Sequence, residues 1–231
     1  MLFRSVDFRL AKYYGDQVEL EHKHQWHGHD GVLRGLVYRN REKIGRFSDA
    51  IAAFQADPRK NAAACVDFNY ESENAQAPDL CWVRKPTVKS GVGGFGEQSL
   101  TRSIGVFSRA MISDGRSEVG AYTSTDRSLA VGVLGKGAAW LRPKDLAGVG
   151  TQYGWISRPH ADYLRLGGVD GFIGDGAIRP ASERSLDLFY SVYVSGAAMW
   201  VTGDYQRIRN PGFNADRGRV NVFSLRVHGE F

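Results

Sequence analysis

The sequence contains no apolar run approaching the ~18 residues of a transmembrane helix, so it does not encode a helical membrane protein. Proline is scarce, with 7 residues, which excludes a collagen-like or Pro-rich chain. Basic and acidic residues are interspersed and the net charge is only +5, so no basic block indicates a nucleic-acid partner. A membrane β-barrel stays open, because its alternating strands leave no hydropathy peak.

Cysteine is also rare. Cys65 and Cys81 are the two cysteines, and neither belongs to a CxxC motif. They either form one disulfide in an oxidising compartment or are two unrelated thiols, and the sequence favours neither interpretation. The N-terminal residues MLFRSVDFRLAKYYG lack the apolar segment and cleavage site of a signal peptide. If the protein is exported, we expect its true start to lie upstream.

What the sequence does contain is alternation with a period of two. In residues 220–231, Phe223, Leu225 and Val227 fall on one face, while Arg226 and His228 fall on the other. In a soluble sandwich the apolar face would meet a core; in a membrane barrel it would meet lipid, and the charged face would line the lumen. The pattern recurs clearly in residues 103–111, 127–136, 184–193 and 198–207, and more weakly in residues 2–12, 17–26, 31–40, 64–71, 87–98, 117–124 and 145–154.

These segments predict about twelve strands. Short turns join most of them, so we expect an antiparallel all-β fold. Residues 48–54 (SDAIAAF) are the one stretch that looks helical, with Ser48 as the N-cap. Two connections are long and Gly-rich, residues 157–184 and 209–219. Short turns at one end and long loops at the other are typical of a transmembrane barrel.

Four segments carry a family pattern in the same order along the chain: RSIGVFSRAMISDGRSE, DRSLAVGVLGKGAAWLRPKDLAGVG, GGVDGFIGDG and GDYQRIRNPGFNADRGRVNVFSLRVHGEF. Together with GRFSDAIAAF and FGEQSL upstream, they resemble the carbohydrate-selective outer-membrane porins, the OprB-like family, over residues 17–231. One departure is Arg219, where the family pattern has Pro.

The resemblance implies an antiparallel transmembrane β-barrel in the bacterial outer membrane through which small sugars diffuse, with no enzymatic activity, cofactor or metal. It also implies contact with outer-membrane lipid, mono- or oligosaccharides as passengers, and recognition of Phe231 by the barrel assembly machinery. Both a monomer and a homotrimer remain open. Family barrels have about sixteen strands. We therefore expect residues 1–231 to be a single barrel domain that lacks a signal peptide and N-terminal strands.

Polar-face side chains are the predicted lumen lining, where polar groups would bond sugar hydroxyls and rings would stack on sugar faces. They are Phe107, Arg109, Lys136, Asp187, Phe189, Asp204, Gln206, Arg226, His228 and Glu230. The alternative is that they hydrate a wide interior or pair across strands. A second set is predicted to order loops through Arg–carboxylate pairs, with sugar contact as the alternative. It consists of Arg142, Asp145, Asp175, Asp216 and Arg217.

The residues also leave other functions open. His22, His24, His27 and His29 suggest a metal site, but with Trp26 among them a barrel rim or turn is favoured. The sequence has no GxSxG, HExxH or P-loop motif. An outer-membrane barrel enzyme acting on lipid or glycan would still be indicated by an exposed Ser bonded to a His.

A soluble polysaccharide-binding β-sandwich is the third hypothesis. It predicts that Leu186, Leu188, Leu225 and Val227 point into one closed core. The barrel predicts instead that the same four side chains form an outward apolar band.

Overall fold

The computed structural model of the chain describes residues 12–58, 76–119, 124–194 and 198–230. These residues form one nine-stranded antiparallel sheet in which each strand pairs with its neighbours along the chain. The strands are β1 (Tyr14–Trp26), β2 (His29–Ile44), β3 (Lys85–Ser99), β4 (Ile104–Ser113), β5 (Arg127–Lys136), β6 (Leu146–Trp155), β7 (Glu183–Val194), β8 (Met199–Arg209) and β9 (Val220–Gly229). The prediction of an antiparallel all-β fold is confirmed.

Nine of the predicted strand segments coincide with these strands. The predicted strands at residues 64–71 and at 2–12, except residue 12, lie outside the described residues. The prediction at residues 117–124 is wrong where the structure describes them. There, Ser117 makes only an isolated bridge to Arg46, and Glu118 is buried. The Glu118 carboxylate pairs with Arg84. Residues 117–119 therefore anchor the chain through a buried ion pair and form no sheet ladder.

The sheet has two chemically different faces. On the face called here the outer face, Leu186, Leu188, Leu225 and Val227 are 37%, 40%, 74% and 61% exposed. A closed sandwich core would bury all four, so the soluble sandwich hypothesis is wrong. The opposite face, called here the inner face, carries the polar side chains and supports the packed core described below.

The connections differ between the two ends of the sheet. The connections β1–β2, β3–β4, β5–β6 and β7–β8 are at the short-turn end, and the connections β2–β3, β4–β5, β6–β7 and β8–β9 are at the long-loop end. The first turn is the tightest, because His27 and Gly28 both have positive φ, at 49° and 76°, as a two-residue type I′ hairpin requires. The predicted difference between the two ends is present. Besides the two predicted long connections, those between β2 and β3 and between β4 and β5 are also long.

The hydrophobic core lies at the long-loop end, on the inner face. It consists of Phe47, Ala50, Leu80, Tyr163, Leu164, Ile173, Ile178 and Phe213. The ring of Phe213 packs on Gly154 of β6, where a Cβ atom would lie 3.2 Å from its Cε1. Loops and helices therefore fold back onto the sheet and cover part of its polar face.

Two α-helices contribute to this core, α1 (Phe47–Ala56) and α2 (Arg158–Arg165). The predicted helix is present, but Ser48 does not cap it. Arg46 precedes it without a side-chain cap, and burial of Phe47 sets where it begins. The sequence analysis missed α2, although Ser157 caps it by accepting from the backbone N of His160.

The remaining helical segments are short 3₁₀ helices at Leu80–Val83, Gly137–Trp140 and Pro211–Phe213. In the described part of the chain, no helix is long and apolar enough to cross a membrane.

Candidate functional site

A row of charged and aromatic side chains crosses β1 to β4 on the inner face. Glu21, Arg34, Phe95 and Arg109 are successive cross-strand partners. The Cζ atoms of Arg34 and Arg109 lie 5.4 and 5.7 Å from the centroid of the Phe95 ring. Arg34 Nε donates to Glu21 Oε2 at 2.6 Å. The row is a cation–π stack held in place by a carboxylate.

The stack borders a concave surface lined also by Glu19, Leu36 and Met111. Arg109 is exposed, so its guanidinium can donate hydrogen bonds to a solute in this groove. Sequence reasoning identified Arg109 but missed Arg34 and Phe95. The signal was available, because β2 and β3 were both predicted and both side chains lie on the polar face of those strands.

The two predicted aromatic lumen residues pack against glycines on neighbouring strands. Phe107 of β4 covers Gly132 of β5, where a Cβ atom would lie 2.5 Å from its Cε1. Phe189 of β7 covers Gly148 of β6 in the same way. Both rings lie on the inner face. They fit there because the glycines beneath them have no side chain.

Gly132→Ala is expected to destabilise the folded chain by about 1–3 kcal/mol, because the new methyl group would meet Phe107 and the carbonyl oxygen of Val149 at 2.8 Å. Gly150→Ala is the matched control. Gly150 pairs with Gly132 in the same row, yet its Cβ would meet no atom closer than 3.6 Å. Equilibrium unfolding in lipid vesicles measures both changes, and equal losses would contradict this account of the ring.

Four more predicted lining residues lie together on the inner face of β7 to β9. Gln206 donates to Asp187 at 3.4 Å, and Ser224 donates to Asp204 at 3.1 Å. Arg226 follows two residues after Ser224 on the same face of β9. This part of the face carries two carboxylates, whereas the row at β2 to β4 carries two guanidinium groups.

The other three predicted lining residues lie near the short-turn end. Lys136 ends β5, and His228 Nε2 lies 3.5 Å from Glu230 Oε1. The ring of His228 also packs against Trp200, with centroids 5.8 Å apart. All ten predicted lining residues therefore share one polar side of the chain, and their contact with a sugar stays a prediction.

The predicted loop-ordering residues make ion pairs between connections that are distant in sequence. Arg217 donates through Nη2 to Asp175 at 2.7 Å, and Asp216 accepts from Arg179 Nη2 at 2.8 Å. These pairs join residues 166–182 to residues 210–219, and their role in ordering the loops stays a prediction. Both pairs are exposed, so each contributes about 1 kcal/mol or less.

Arg142 and Asp145 pair with each other at the short-turn end. Asp145 also accepts hydrogen bonds from the backbone N of Tyr193 at 2.9 Å and from Tyr190 Oη at 2.7 Å. The Arg142 guanidinium, with these donors, lowers the pKa of Asp145 to about 2. The carboxylate thus ties the connection between β5 and β6 to β7.

Sequence reasoning missed a buried polar cluster at the long-loop end. Glu118 pairs with Arg84, and His160 lies between Asp126 and Asp170. Every one of these side chains is 11% exposed or less. They come from parts of the chain that lie between the strands, although the sequence analysis placed Glu118 in a predicted strand, and their proximity depends on the fold.

The histidine-rich segment spans the end of β1, the two-residue turn and the start of β2. His22 and His24 stack on each other with centroids 5.7 Å apart, and His27 packs against Trp26 at 4.6 Å. Within the described ranges, no group of three His, Cys, Asp or Glu side chains is placed to hold a metal ion.

Two further observations concern the other hypotheses. Among the described residues, the His160 ring contacts two carboxylates and the ring of Phe47, whereas the Ser157 hydroxyl accepts from the backbone N of His160 and donates to the carbonyl oxygen of Gly115. This is different from the Ser–His pair that a barrel hydrolase would need. Cys81 is disulfide-bonded, whereas Cys65 lies outside the described residues.

An up-and-down antiparallel sheet with an apolar outer face and a polar inner face is the arrangement of outer-membrane β-barrel walls. The chain belongs to the carbohydrate-selective porin family OprB, whose model matches residues 17–231. This is a family of outer-membrane porins, so the chain is assigned to the bacterial outer membrane. No curated protein matches the chain with significant similarity.

The fold is similar to that of Pseudomonas putida OprB, in a structure determined at high pH. The TM-score is 0.70 at 19% sequence identity, and the match covers 95% of this chain and 50% of that one. The chain therefore spans about half the length of this solved porin.

Proposed function

We propose that residues 1–231 are a single domain that forms channel wall in the outer membrane and lets small saccharides diffuse along its inner face. The observation that carries the proposal is the Arg34–Phe95–Arg109 stack on that face. The outer face, with its exposed apolar side chains, contacts lipid. The channel needs no nucleophile or cofactor, so the chain acts without catalysis.

The stack has the chemistry that a sugar path requires. A sugar ring offers hydroxyl groups around its edge and C–H groups on its faces. Guanidinium groups donate several hydrogen bonds, and an aromatic ring contacts the apolar face. In water each such contact is weak, so the sugar enters the site and also leaves it, as conduction requires.

The same proposal gives an orientation. Outer-membrane barrels have short periplasmic turns and longer extracellular loops. The short-turn end therefore faces the periplasm, and β9 runs toward it. Recognition of Phe231 by the assembly machinery is part of the proposal, although Phe231 lies outside the described residues. Whether the chain acts as a monomer or a homotrimer stays a prediction.

Single-channel conductance tests the proposal directly. The refolded chain in a planar bilayer is expected to give stable conductance steps that glucose and maltose partly block. Arg34→Gln should weaken the block about five- to tenfold, because one charged hydrogen-bond donor is worth roughly 1–1.5 kcal/mol.

The matched control is Arg39→Gln. Arg39 also lies on β2 and pairs with a β1 carboxylate, Asp16, but on the outer face. Sugar block should be unchanged in this variant. The absence of conductance steps would contradict the channel, and equal effects of the two substitutions would contradict the sugar path along the stack.

A further inference from the structure

A bridge of three ionisable side chains is buried where α2 meets the sheet. Asp126 immediately precedes β5, His160 lies in α2, and Asp170 lies in the loop that follows α2. His160 Nδ1 is 2.9 Å from Asp126 Oδ2, and Nε2 is 3.2 Å from Asp170 Oδ2. The ring of Phe47 stacks on the imidazole with centroids 4.2 Å apart. The bridge therefore connects a helix, a loop and the sheet through charge.

The two halves of the bridge are unequal in geometry. Asp126 Oδ2 makes a hydrogen bond with His160 Nδ1 and also accepts from the backbone N of Ser157 at 2.8 Å. In contrast, His160 Nε2 and Asp170 Oδ2 are buried and find no well-oriented hydrogen bond among the described residues. The contact between α2 and its loop is the weaker half.

The surrounding charges increase this inequality. Lys89 of β3 places Nζ 4.0 Å from Asp126 Oδ1 and donates to the backbone O of Ser117. Among the described residues, the His160 ring contacts Asp170 and Lys89 also attracts its negative charge, while Glu118 and Asp126 repel it. Glu118 is itself paired with Arg84. An ionised Asp170 is thus poorly compensated.

The protonation chemistry follows from the contacts. A histidine ring donates from both nitrogens only as the imidazolium cation. If the ring is neutral, one nitrogen presents a lone pair to a carboxylate, and the two repel each other unless that carboxyl is protonated. Both contacts of the ring are therefore attractive only if the ring is protonated, or if the carboxyl group that faces its lone pair is protonated.

We propose that Asp126, His160 and Asp170 form a pH-sensitive latch that holds α2 and residues 166–182 on the inner face and loosens as the pH rises. These segments cover the polar face at the long-loop end, which is one entrance to the proposed channel. The latch therefore controls how much of this entrance they cover.

The direction of the pH effect agrees with the electrostatics. Burial raises the pKa of Asp170 from 3.8 to about 6. The stability contributed by its proton is therefore full below about pH 4 and is lost as the pH rises through about 6. Burial acts in the same direction on Asp126, but bonds from His160 and Ser157 lower its pKa overall. Asp126 thus weakens the latch only in stronger acid, so the latch is tightest near pH 4 and loosens as the pH rises through about 6.

Hydrogen–deuterium exchange of the refolded chain in detergent micelles tests the latch. After correction for intrinsic exchange rates, protection of residues 158–166 is expected to fall roughly tenfold between pH 5 and 8, within the roughly hundredfold limit set by the rise of the Asp170 pKa from 3.8 to about 6. Peptides of β7 should keep their protection. Because exchange needs no conducting pore, failure of the sugar assay leaves this test intact.

Asp170→Asn keeps the shape of the side chain but cannot ionise, so the pH dependence at α2 should disappear. Asp162→Asn is the control, since Asp162 is an exposed carboxylate on the same helix and pairs with Arg165. This variant should keep the wild-type pH dependence. The latch is wrong if wild-type protection of α2 does not change with pH, or if Asp170→Asn retains the full change.

If Asp170→Asn does not refold, the wild-type chain still decides. Loss of protection at high pH that is confined to α2 and its loop supports the latch. Equal loss in α2 and β7 would show general unfolding and would overturn it.

Discussion

Glu118→Ala is expected to lower the free energy of unfolding by about 3–5 kcal/mol, because it leaves a buried guanidinium without its carboxylate. Glu118 Oε2 accepts from Arg84 Nη2 at 2.7 Å, and Oε1 accepts from Arg84 Nε at 2.8 Å. Oε1 also accepts from the backbone N of Gly45 at 2.6 Å. One carboxylate therefore holds the start of β3 and the end of β2 together.

The control is an exposed ion pair made by Lys85, the residue after Arg84. Lys85 pairs with Asp49 at 2.9 Å, but their side chains are 60% and 34% exposed. Asp49→Ala should cost less than about 1 kcal/mol, because water compensates both charges. Equilibrium unfolding by guanidinium in lipid vesicles compares the two variants. Similar losses would show that burial does not determine the strength of the Glu118 anchor.

Leu188→Arg is expected to have a comparably large effect. Leu188 lies in the middle of β7 on the outer face, between Val149 of β6 and Tyr205 of β8. Arginine on the lipid face near the bilayer midplane costs about 2–4 kcal/mol in transmembrane barrels. The variant should therefore insert poorly into vesicles and unfold at lower denaturant concentration.

Gln206→Arg tests the same charge on the opposite face. Gln206 lies on β8 and contacts Asp187, which can pair with the new guanidinium. Its cost should stay below about 1 kcal/mol. If Gln206→Arg impairs insertion and Leu188→Arg does not, the inner and outer faces are assigned the wrong way round.

The strands were predictable because their signal is local. Alternation in residues 127–136 and 145–154 marks β5 and β6 with an error of at most one residue at each end. Residues 48–54 likewise identified α1, although the helix begins earlier, at Phe47. Side-chain parity follows directly from such strands, which is why the predicted lining residues share one face.

The register across strands was not predictable. Phe95 stands between Arg34 and Arg109 only because β3 pairs with both β2 and β4 at those positions. These residues are separated by 61 and 14 positions in the sequence. Nothing in either segment alone indicates which residues become neighbours.

The sequence by itself determined the antiparallel all-β fold, the two faces of its strands and the family, since alternation and motif order are properties of contiguous residues. Tertiary structure alone decided that residues 117–119 form an anchor in place of a strand, and that His160 meets Asp126 and Asp170. The physical reason is that these charged groups become stable only when three connections, distant in sequence, bury them together, so that each compensates another.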